Sequence, residues 1–323
     1  IHNTTLGPAL GGTRMWPYNT EEEALRDVLR LSRGMTNKAA VAGLNLGGGK
    51  AVIIGDPDLL RSPGLFTAYG RFIDGLAGRY ITAEDVGTTV SDMEIVATRT
   101  SYVSGLPIGD GGSGDPSPAT ARGVMAAMRA IGHHLWGSPE LAGRKVAIKG
   151  VGKVGMSLAE RLHRSSVELI VADVDDEAAE RAAIDFGAKV VAVDDVHTVD
   201  CDIFAPCALG ADLDEDSIAE LGCAAIAGSA NNQLATEADA ERIAARGILY
   251  APDFVVNAGG IINIAAESGG YDVGRAAAMV DRIFDNLTGI LSSAETLGIS
   301  TETAATRMAD ERIAAAAAKG VST

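Results

Sequence analysis

A glycine pattern between two apolar segments places the strongest constraint on the fold. Residues 145–155 read KVAIKGVGKVG and contain Gly150, Gly152 and Gly155 in the G-x-G-x-x-G arrangement. An apolar strand is predicted before the pattern and an amphipathic helix after it, and the next apolar segment ends at Asp173. In a chain with 39 glycines the pattern alone is weak. Strand, turn, helix and second strand together predict a Rossmann dinucleotide-binding unit.

The chemistry of this turn identifies the expected cofactor-binding residues. Glycines permit a tight turn and the close approach of a pyrophosphate, and the following helix N-terminus supplies amides and partial positive charge. The residues assigned to the loop are Gly150, Gly152, Lys153, Val154 and Gly155. Asp173 lies where an acid would meet the ribose hydroxyls and, with Asp175 and Asp176, repel a 2′-phosphate. NAD is therefore predicted over NADP; the alternative for Asp175 and Asp176 is capping of the next helix.

Alternating segments continue this pattern through the second half of the chain. Helices are predicted over 153–165 and 176–187, and short apolar strands at KVVAV, CDIFAP, AAIAGS and GILYAP. Strands that alternate with helices indicate a doubly wound parallel sheet. After Gly270 the chain is predicted to be helical to its end.

The first part of the chain predicts a separate α/β region. KAVII and RYIT are expected strands on either side of a helix over 65–77, and Thr20 with Glu23 matches a capping box. The glycine- and proline-rich segment 109–123, followed by a helix to about Trp136, is the expected domain boundary.

The predicted fold is α/β, with two domains and a cleft between them. A length of 323 residues suits two domains. Residues 1–118 are expected to form a substrate-binding, catalytic and oligomerisation domain, and residues 119–289 a Rossmann NAD-binding domain. Helices over about 290–323 are expected to pack back on the first domain. The chain begins at Ile1 rather than Met, so an upstream segment is expected to be missing.

Composition excludes several classes of function. A net charge of −16 argues against nucleic acid and anionic membrane surfaces as partners. No apolar run reaches the ~18 residues of a membrane span, and no signal peptide is visible. The three cysteines lack metal-site or disulfide spacing, as do the histidines, so we expect no metal and a cytoplasmic location.

Two lysines bracket a second glycine-rich segment, AGLNLGGGKAVIIG over 42–55. A P-loop would need glycine at Leu44 and a hydroxyl at Ala51, so the triphosphate interpretation fails. Lys38 and Lys50, with Asp85 in ITAEDVGTT, could instead serve a cleft. One lysine would pair with a substrate carboxylate, and the other, crowded by a cation and desolvated, would become a base. Solvated surface lysines are the alternative.

Seven motifs then indicate a family. GPALGGTRMW, GMTNKAAVAGLNLGGGKAVI, AEDVGTT, GSGDPSPATARG, CDIFAPCALG, GSANNQL and YAPDFVVNAGGIIN occur in the order found in amino acid dehydrogenases. The chain resembles the glutamate/leucine/phenylalanine/valine dehydrogenase family over nearly its whole length, and most closely its leucine and valine members.

The resemblance implies residue roles and a reaction. Lys38 resembles the lysine that binds the substrate α-carboxylate, aided by backbone at Gly11 and Gly12, and Lys50 resembles the low-pKa lysine that activates water. Asp85 matches the proton-transfer carboxylate. The positions that match cofactor contacts are Thr120, Cys207, Ala208, Asn232 and Asn257, of which Asn257 also faces substrate. The implied reaction is NAD-dependent deamination of an L-amino acid to a 2-oxo acid and ammonia, in a homo-oligomer.

Four positions suggest a branched aliphatic substrate. Leu10 and Ile264 stand where glutamate enzymes of this family carry a lysine and a serine, and a buried substrate carboxylate without a partner would be costly. Ala83 stands where phenylalanine enzymes tend to have glycine, and Ile261 and Ile264 would further fill the pocket. Valine, leucine and isoleucine differ by about one methylene and are not separated. The alternative is that Ile261 and Ile264 are ordinary core residues.

Three other functions stay open. A phenylalanine-type dehydrogenase would need a larger pocket. A hydroxy-acid dehydrogenase would need a histidine near the site motifs, where none is found. A non-catalytic sensor of NAD or amino acid would not need Lys38, Lys50 and Asp85 together.

Overall fold

The computed structural model describes residues 1–208, 210 and 212–320 as parallel sheets covered by helices. The strands are β1 (Ala9–Trp16), β2 (Gly47–Gly48), β3 (Ala51–Ile54), β4 (Tyr80–Glu84), β5 (Lys145–Lys149), β6 (Glu168–Ala172), β7 (Lys189–Val190), β8 (Cys201–Pro206), β9 (Cys223–Ile226) and β10 (Leu249–Tyr250). The helices are α1 (Glu21–Val41), α2 (Pro57–Leu60), α3 (Pro63–Gly75), α4 (Val90–Ala97), α5 (Ser117–Trp136), α6 (Lys153–Arg164), α7 (Asp176–Phe186), α8 (Glu215–Glu220), α9 (Ala238–Ala245), α10 (Asp253–Val256), α11 (Gly259–Ala265), α12 (Val273–Asp281), α13 (Ile283–Leu297) and α14 (Thr301–Gly320).

Residue contacts group the described chain into two compact units. The first unit contains Ile1–Pro116, Ile261–Ala276 and 308–320, and the second contains Ser117–Gly260 and Ala277–Arg307. The later part of the chain thus contributes to both units. The domain boundaries expected from the sequence stay a prediction.

Strand β1 is the centre of the sheet in the first unit. It pairs in parallel with β2 and β3 on one side and with β4 on the other. Met15 is fully buried on one face of β1, in a cluster that includes Phe66 of α3. Because side chains alternate along a strand, Leu10, Gly12 and Arg14 share the opposite face.

The sheet of the second unit confirms the doubly wound prediction. Its strand order is β10-β9-β8-β5-β6-β7, and every pair of neighbours is parallel. Strand order therefore reverses between β5 and β8, which makes the carboxyl ends of these two strands the expected ligand position. Large side chains from this sheet and its helices form one core, which includes Phe204, Ile226 and Ile243.

Most predicted elements are confirmed with small shifts of their ends. The helix expected over 65–77 is Pro63–Gly75, and the chain after Gly270 is helical in α12, α13 and α14; residues 321–323 lie outside the described part. Thr20 caps α1 by accepting a hydrogen bond from the Glu23 amide. The capping box is incomplete, because the Glu23 carboxylate accepts from the Asn19 amide.

No strand is predicted at GPALGGTRMW, which is where β1 lies. Two adjacent glycines in the middle of a segment argue against a strand on propensity. The close packing of the neighbouring strands, described below, requires the two glycines there.

Among the described residues, no helix has the length and apolar character of a membrane span.

Candidate active site

Lys50 lies in the short break between β2 and β3, which both pair with β1. Strand β1 pairs with β2 at Leu10 and Gly48 and with β3 from Thr13 and Ala51, and the register is the same on both sides of the break. A Cβ on Gly11 would lie 1.8 Å from the Gly49 carbonyl oxygen, and one on Gly48 would lie 2.1 Å from the Thr36 amide nitrogen. Gly48 is therefore required by packing against α1, and Gly11 by the close approach of the segment that ends at Lys50.

Lys50 forms a buried ion pair with Asp85. The Lys50 Nζ contacts Asp85 Oδ2, and the two side chains are 8% and 21% exposed. Asp85 follows β4 directly, and a Cβ on Gly12 would lie 2.8 Å from its Cβ. Glycine in β1 thus leaves room for Asp85. The Asp85 amide donates to Thr88 Oγ1 at 2.9 Å, and this hydroxyl donates to the Thr13 carbonyl at 2.8 Å.

Burial and neighbouring charges shift both pKa values in this pair. Desolvation lowers the pKa of Lys50 below its ordinary value, and the Arg14 guanidinium lowers it further, while Asp85 opposes the shift. Desolvation alone would raise the pKa of Asp85, but Lys50 and Arg14 more than offset it, so this pKa is lowered. Asp85 is therefore an anion, and Lys50 loses its proton more readily than a surface lysine.

The cation that lowers the pKa of Lys50 is one to which sequence reasoning gave no role. Arg14 Nε lies 3.4 Å from Asp85 Oδ2, and Arg14 Nη1 lies 3.0 Å from Asp27 Oδ2. Tyr18 donates a 2.5 Å hydrogen bond to the same Asp27 oxygen. Because no strand was predicted at this segment, no sequence signal placed Arg14 beside Asp85.

Apart from Asn257, the other predicted substrate residues also belong to the first unit. Lys38 is half-buried in the last turn of α1. Leu10 and Ala83 are buried in β1 and β4, where Ala83 pairs with Gly12. In α11, Ile261 is buried and Ile264 half-buried, and their spacing of three residues puts them on one face of the helix. Contact of these side chains with a substrate stays a prediction.

The predicted cofactor loop lies at the reversal of strand order in the second unit. Gly150 has a φ of 97°, in the left-handed region, and a Cβ there would lie 2.7 Å from the Ala208 amide nitrogen. A Cβ on Gly155 would lie 2.0 Å from the Gly150 carbonyl oxygen. The loop after β5 therefore packs closely on the segment after β8, where Cys207 and Ala208 lie. Lys153 and Val154 begin α6 directly after this loop.

Asp173 directly follows β6 and contacts the glycine loop. Its Oδ2 accepts a 2.6 Å hydrogen bond from the Val151 amide, and its Oδ1 accepts from the Asp175 amide at 2.9 Å. Asp175 caps α7 by accepting from the Ala178 amide, and Asp176 begins the helix. The capping alternative is thus confirmed for Asp175, and Asp173 remains the acid that faces the glycine loop.

Asn257 offers a buried group suited to a ligand amide. Its side-chain nitrogen donates to Asn231 Oδ1 at 2.8 Å, while Oδ1 has no hydrogen-bond partner among the described residues, and the residue is 6% exposed. A buried oxygen without a partner costs about 1–3 kcal/mol, which a ligand N–H can recover. Together with the glycine loop and Asp173, this oxygen fits a nicotinamide dinucleotide.

Three further predicted cofactor positions lie in the same unit. Asn232 has a φ of 53°, a left-handed conformation that asparagine tolerates, and Thr120 is half-buried in the first turn of α5. Burial raises the pKa of the Cys207 thiol, so this side chain is not a thiolate. Their contacts with a cofactor stay a prediction.

Comparison with known proteins identifies the family. The family model described as Glu/Leu/Phe/Val dehydrogenase, dimerisation domain, matches residues 1–102, and that described as Glutamate/Leucine/Phenylalanine/Valine dehydrogenase matches residues 111–180 and 176–319. The chain belongs to this family. It is therefore an amino acid dehydrogenase with a Rossmann domain of the kind that binds a nicotinamide cofactor.

Individual relatives cover most of the chain. It is 54% identical to leucine dehydrogenase of Geobacillus stearothermophilus over 313 residues, which are 97% of this chain and 85% of the relative. It is 49% identical to valine dehydrogenase of Streptomyces virginiae over 97% of this chain and 88% of the relative. The solved structure of L-tryptophan dehydrogenase from Nostoc punctiforme matches with a TM-score of 0.87 and 46% identity, covering 98% of this chain and 91% of that one.

Proposed function

We propose that the protein catalyses the NAD-dependent, reversible oxidative deamination of branched-chain aliphatic L-amino acids to 2-oxo acids and ammonia. The observation that carries the proposal is the buried Lys50–Asp85 pair, in which Lys50 has a lowered pKa. A lysine that is readily deprotonated can act as a base at moderately alkaline pH, whereas an ordinary surface lysine cannot. A sensor would gain nothing from burying this pair at the cost of desolvation.

The residues of the first unit would carry out the hydrolytic half of the reaction. Bound nicotinamide would accept the α-hydrogen of the amino acid as hydride, which leaves an iminium on the substrate. Neutral Lys50 takes a proton from water as the water adds to the imine carbon. Lys50, now an ammonium, passes this proton through the Asp85 carboxylate to the nitrogen of the carbinolamine. Neutral Lys50 then takes the proton of the carbinolamine hydroxyl as the C–N bond breaks, which releases the 2-oxo acid and ammonia. Lys38 pairs with the α-carboxylate, and backbone at Gly11 and Gly12 adds to this contact.

The proposed substrate side chain follows from apolar positions. Leu10, Ala83, Ile261 and Ile264 offer no partner to a side-chain carboxylate, which disfavours glutamate. Two isoleucines on one face of α11 fill space that an aromatic side chain would need. Valine, leucine and isoleucine fit such a pocket, and the leucine and valine dehydrogenases among the relatives support this choice. The similarity to a tryptophan dehydrogenase makes an aromatic substrate the second candidate.

The proposed cofactor is NAD, bound by the glycine loop with Thr120, Cys207, Ala208, Asn232 and Asn257. The Asp173 carboxylate beside the loop would accept from the ribose hydroxyls and repel the 2′-phosphate of NADP. A homo-oligomer is also proposed, supported by the dimerisation-domain match and by exposed apolar side chains on α1 such as Leu25 and Leu29. A cytoplasmic location is supported by three free cysteines.

The test is NADH formation by the purified protein at mildly alkaline pH. L-Valine, L-leucine, L-isoleucine, L-phenylalanine, L-tryptophan and L-glutamate are offered separately, with NADP in parallel. We expect kcat/KM to be highest for a branched-chain substrate with NAD. A preference for tryptophan or phenylalanine would overturn the substrate assignment. Tight NAD binding without turnover of any amino acid would favour the sensor.

A further inference from the structure

A line of charged and hydroxyl groups extends from the Lys50–Asp85 pair into the first unit. Asp85 Oδ2 is shared by Lys50 and Arg14, Arg14 also contacts Asp27, and Asp27 accepts from Tyr18. We propose that Arg14 is a positioning residue of the reaction: it holds the Asp85 carboxylate against Lys50 and is itself held by Asp27 and Tyr18. This inference rests on the proposed function of that pair.

The geometry suits an arginine and not a lysine. Arg14 uses Nε toward Asp85 and Nη1 toward Asp27, so its planar guanidinium bridges two carboxylates from different elements. A lysine ammonium at the same position is a single point charge and cannot reproduce both directions. Arg14 is 21% exposed and Asp27 15%, so both contacts are partly shielded from water, where charge pairs are stronger than at the surface.

A permanent charge at this position also acts on Lys50. Guanidinium does not titrate in the pH range of enzymes, so Arg14 repels the Lys50 ammonium at every working pH. The charged groups acting on Lys50 are Asp85 after β4, Arg14 on β1 and Asp27 on α1, and of these only Arg14 disfavours the ammonium. Without it, the two carboxylates would hold Lys50 in its protonated form to higher pH.

Arg30 provides a matched control. It contacts the other oxygen of the same Asp27, at 3.4 Å, but is 61% exposed. R30Q therefore removes a cation from Asp27 and leaves the contact between Arg14 and Asp85 in place. Y18F removes the hydrogen bond to the Asp27 oxygen that Arg14 uses, and so loosens Arg14 while keeping its charge.

The experiment compares wild type, R14Q, R14K, Y18F and R30Q in NADH formation across pH, with folding checked by circular dichroism. We expect R14Q to lose roughly ten-fold or more in kcat/KM for the amino acid, with the acid limb of its pH profile shifted to higher pH. R14K should lose activity with a smaller pH shift, because it keeps a charge but not the bridge. Y18F should show a smaller loss, and R30Q should match wild type. Binding of NADH should not change in any variant.

A second readout does not depend on turnover. Lys50 is acylated with a small anhydride at a series of pH values, and its labelling is quantified by mass spectrometry against Lys145, which is 47% exposed. We expect the pH at which Lys50 becomes reactive to rise in R14Q and not in R30Q. Unchanged Lys50 reactivity and an unchanged pH profile in folded R14Q would overturn the inference. Inactivity of the wild type would refute the proposed function alone, and the labelling would still decide the role of Arg14.

Discussion

Glu302 gives the sharpest prediction about stability. It lies in the first turn of α14 beside Thr301, whose hydroxyl donates to the Tyr250 carbonyl at 2.5 Å. Burial raises the pKa of Glu302 to about 8, and the carboxylates of Asp253 and Glu237 add to the shift. The perturbation is E302Q, because glutamine has the shape of the protonated acid and carries no charge.

The direction in which stability changes with pH follows from proton linkage. Between the ordinary pKa of 4.5 and about 8, the folded protein holds a proton on Glu302 that the unfolded chain has released. Wild-type stability therefore falls as pH rises through this window, by about 1.4 kcal/mol per pH unit at most. Between pH 5 and pH 9 the loss comes to about 4 kcal/mol. The positive N-terminus of α14 favours the Glu302 anion by about 0.3–1 kcal/mol, which reduces this loss. We therefore expect the free energy of unfolding of E302Q to rise by about 3 kcal/mol relative to wild type between pH 5 and pH 9.

The assay is urea unfolding of both proteins at pH 5 and pH 9, followed by circular dichroism. The expected result is a small difference at pH 5 and a higher unfolding midpoint for E302Q at pH 9. E295Q, which changes an exposed glutamate on α13, should follow wild type at both pH values. If the stabilities of E302Q and wild type change in parallel between the two pH values, Glu302 does not hold a proton in the folded protein over this range.

Three further predictions concern the cofactor loop and the support of the site. D173S should lower kcat/KM for NAD and raise the ratio of NADP to NAD use by roughly ten-fold, because a charge that repels the 2′-phosphate is removed; an unchanged ratio in steady-state assays would contradict this. G48A should lower the free energy of unfolding, measured in urea, by about 1–3 kcal/mol, because its Cβ would lie 2.1 Å from the Thr36 amide nitrogen. The control G34A has open space around the added Cβ and should leave stability unchanged or raise it. E267A should lower the free energy of unfolding by about 2–4 kcal/mol, because Glu267 Oε1 accepts from the Gly105 and Ser113 amides at 3.1 and 2.8 Å. Hydrogen exchange should increase at both amides, and unchanged protection would rule out this role of Glu267.

The second unit could be predicted well because its signals are local. The glycine loop, the strand before it and the helix after it lie within about 30 residues, and each obeys a periodicity that sequence alone displays. Gly150 and Gly155 were assigned from that context, and the structure gives the reason that neither can carry a side chain. Asp175 was left between two roles, because helix capping and repulsion of a 2′-phosphate both favour an acid after a strand.

The first unit was harder, because its decisive contacts join distant segments. Strand β1 contains Gly11 and Gly12, which lower strand propensity, and only the approach of Gly49 and Asp85 explains them. Lys50 and Asp85 were grouped at a cleft from their motifs, but only the resemblance favoured this over surface lysines, since 35 residues separate the two in the chain. Arg14 was given no role, because no sequence rule links it to both Asp85 and Asp27. In the second unit, the raised pKa of Glu302 depends on burial and on carboxylates from two other segments, which no local pattern brings together.

The proposed reaction depends above all on Lys50 acting as the base. The most direct measurement is the steady-state rate of K50A with the preferred L-amino acid and NAD, together with NADH binding measured by fluorescence. We expect a folded variant that binds NADH with wild-type affinity and whose kcat is reduced by about 10²–10⁴-fold. If K50A turns over within a few fold of wild type, Lys50 is not the base.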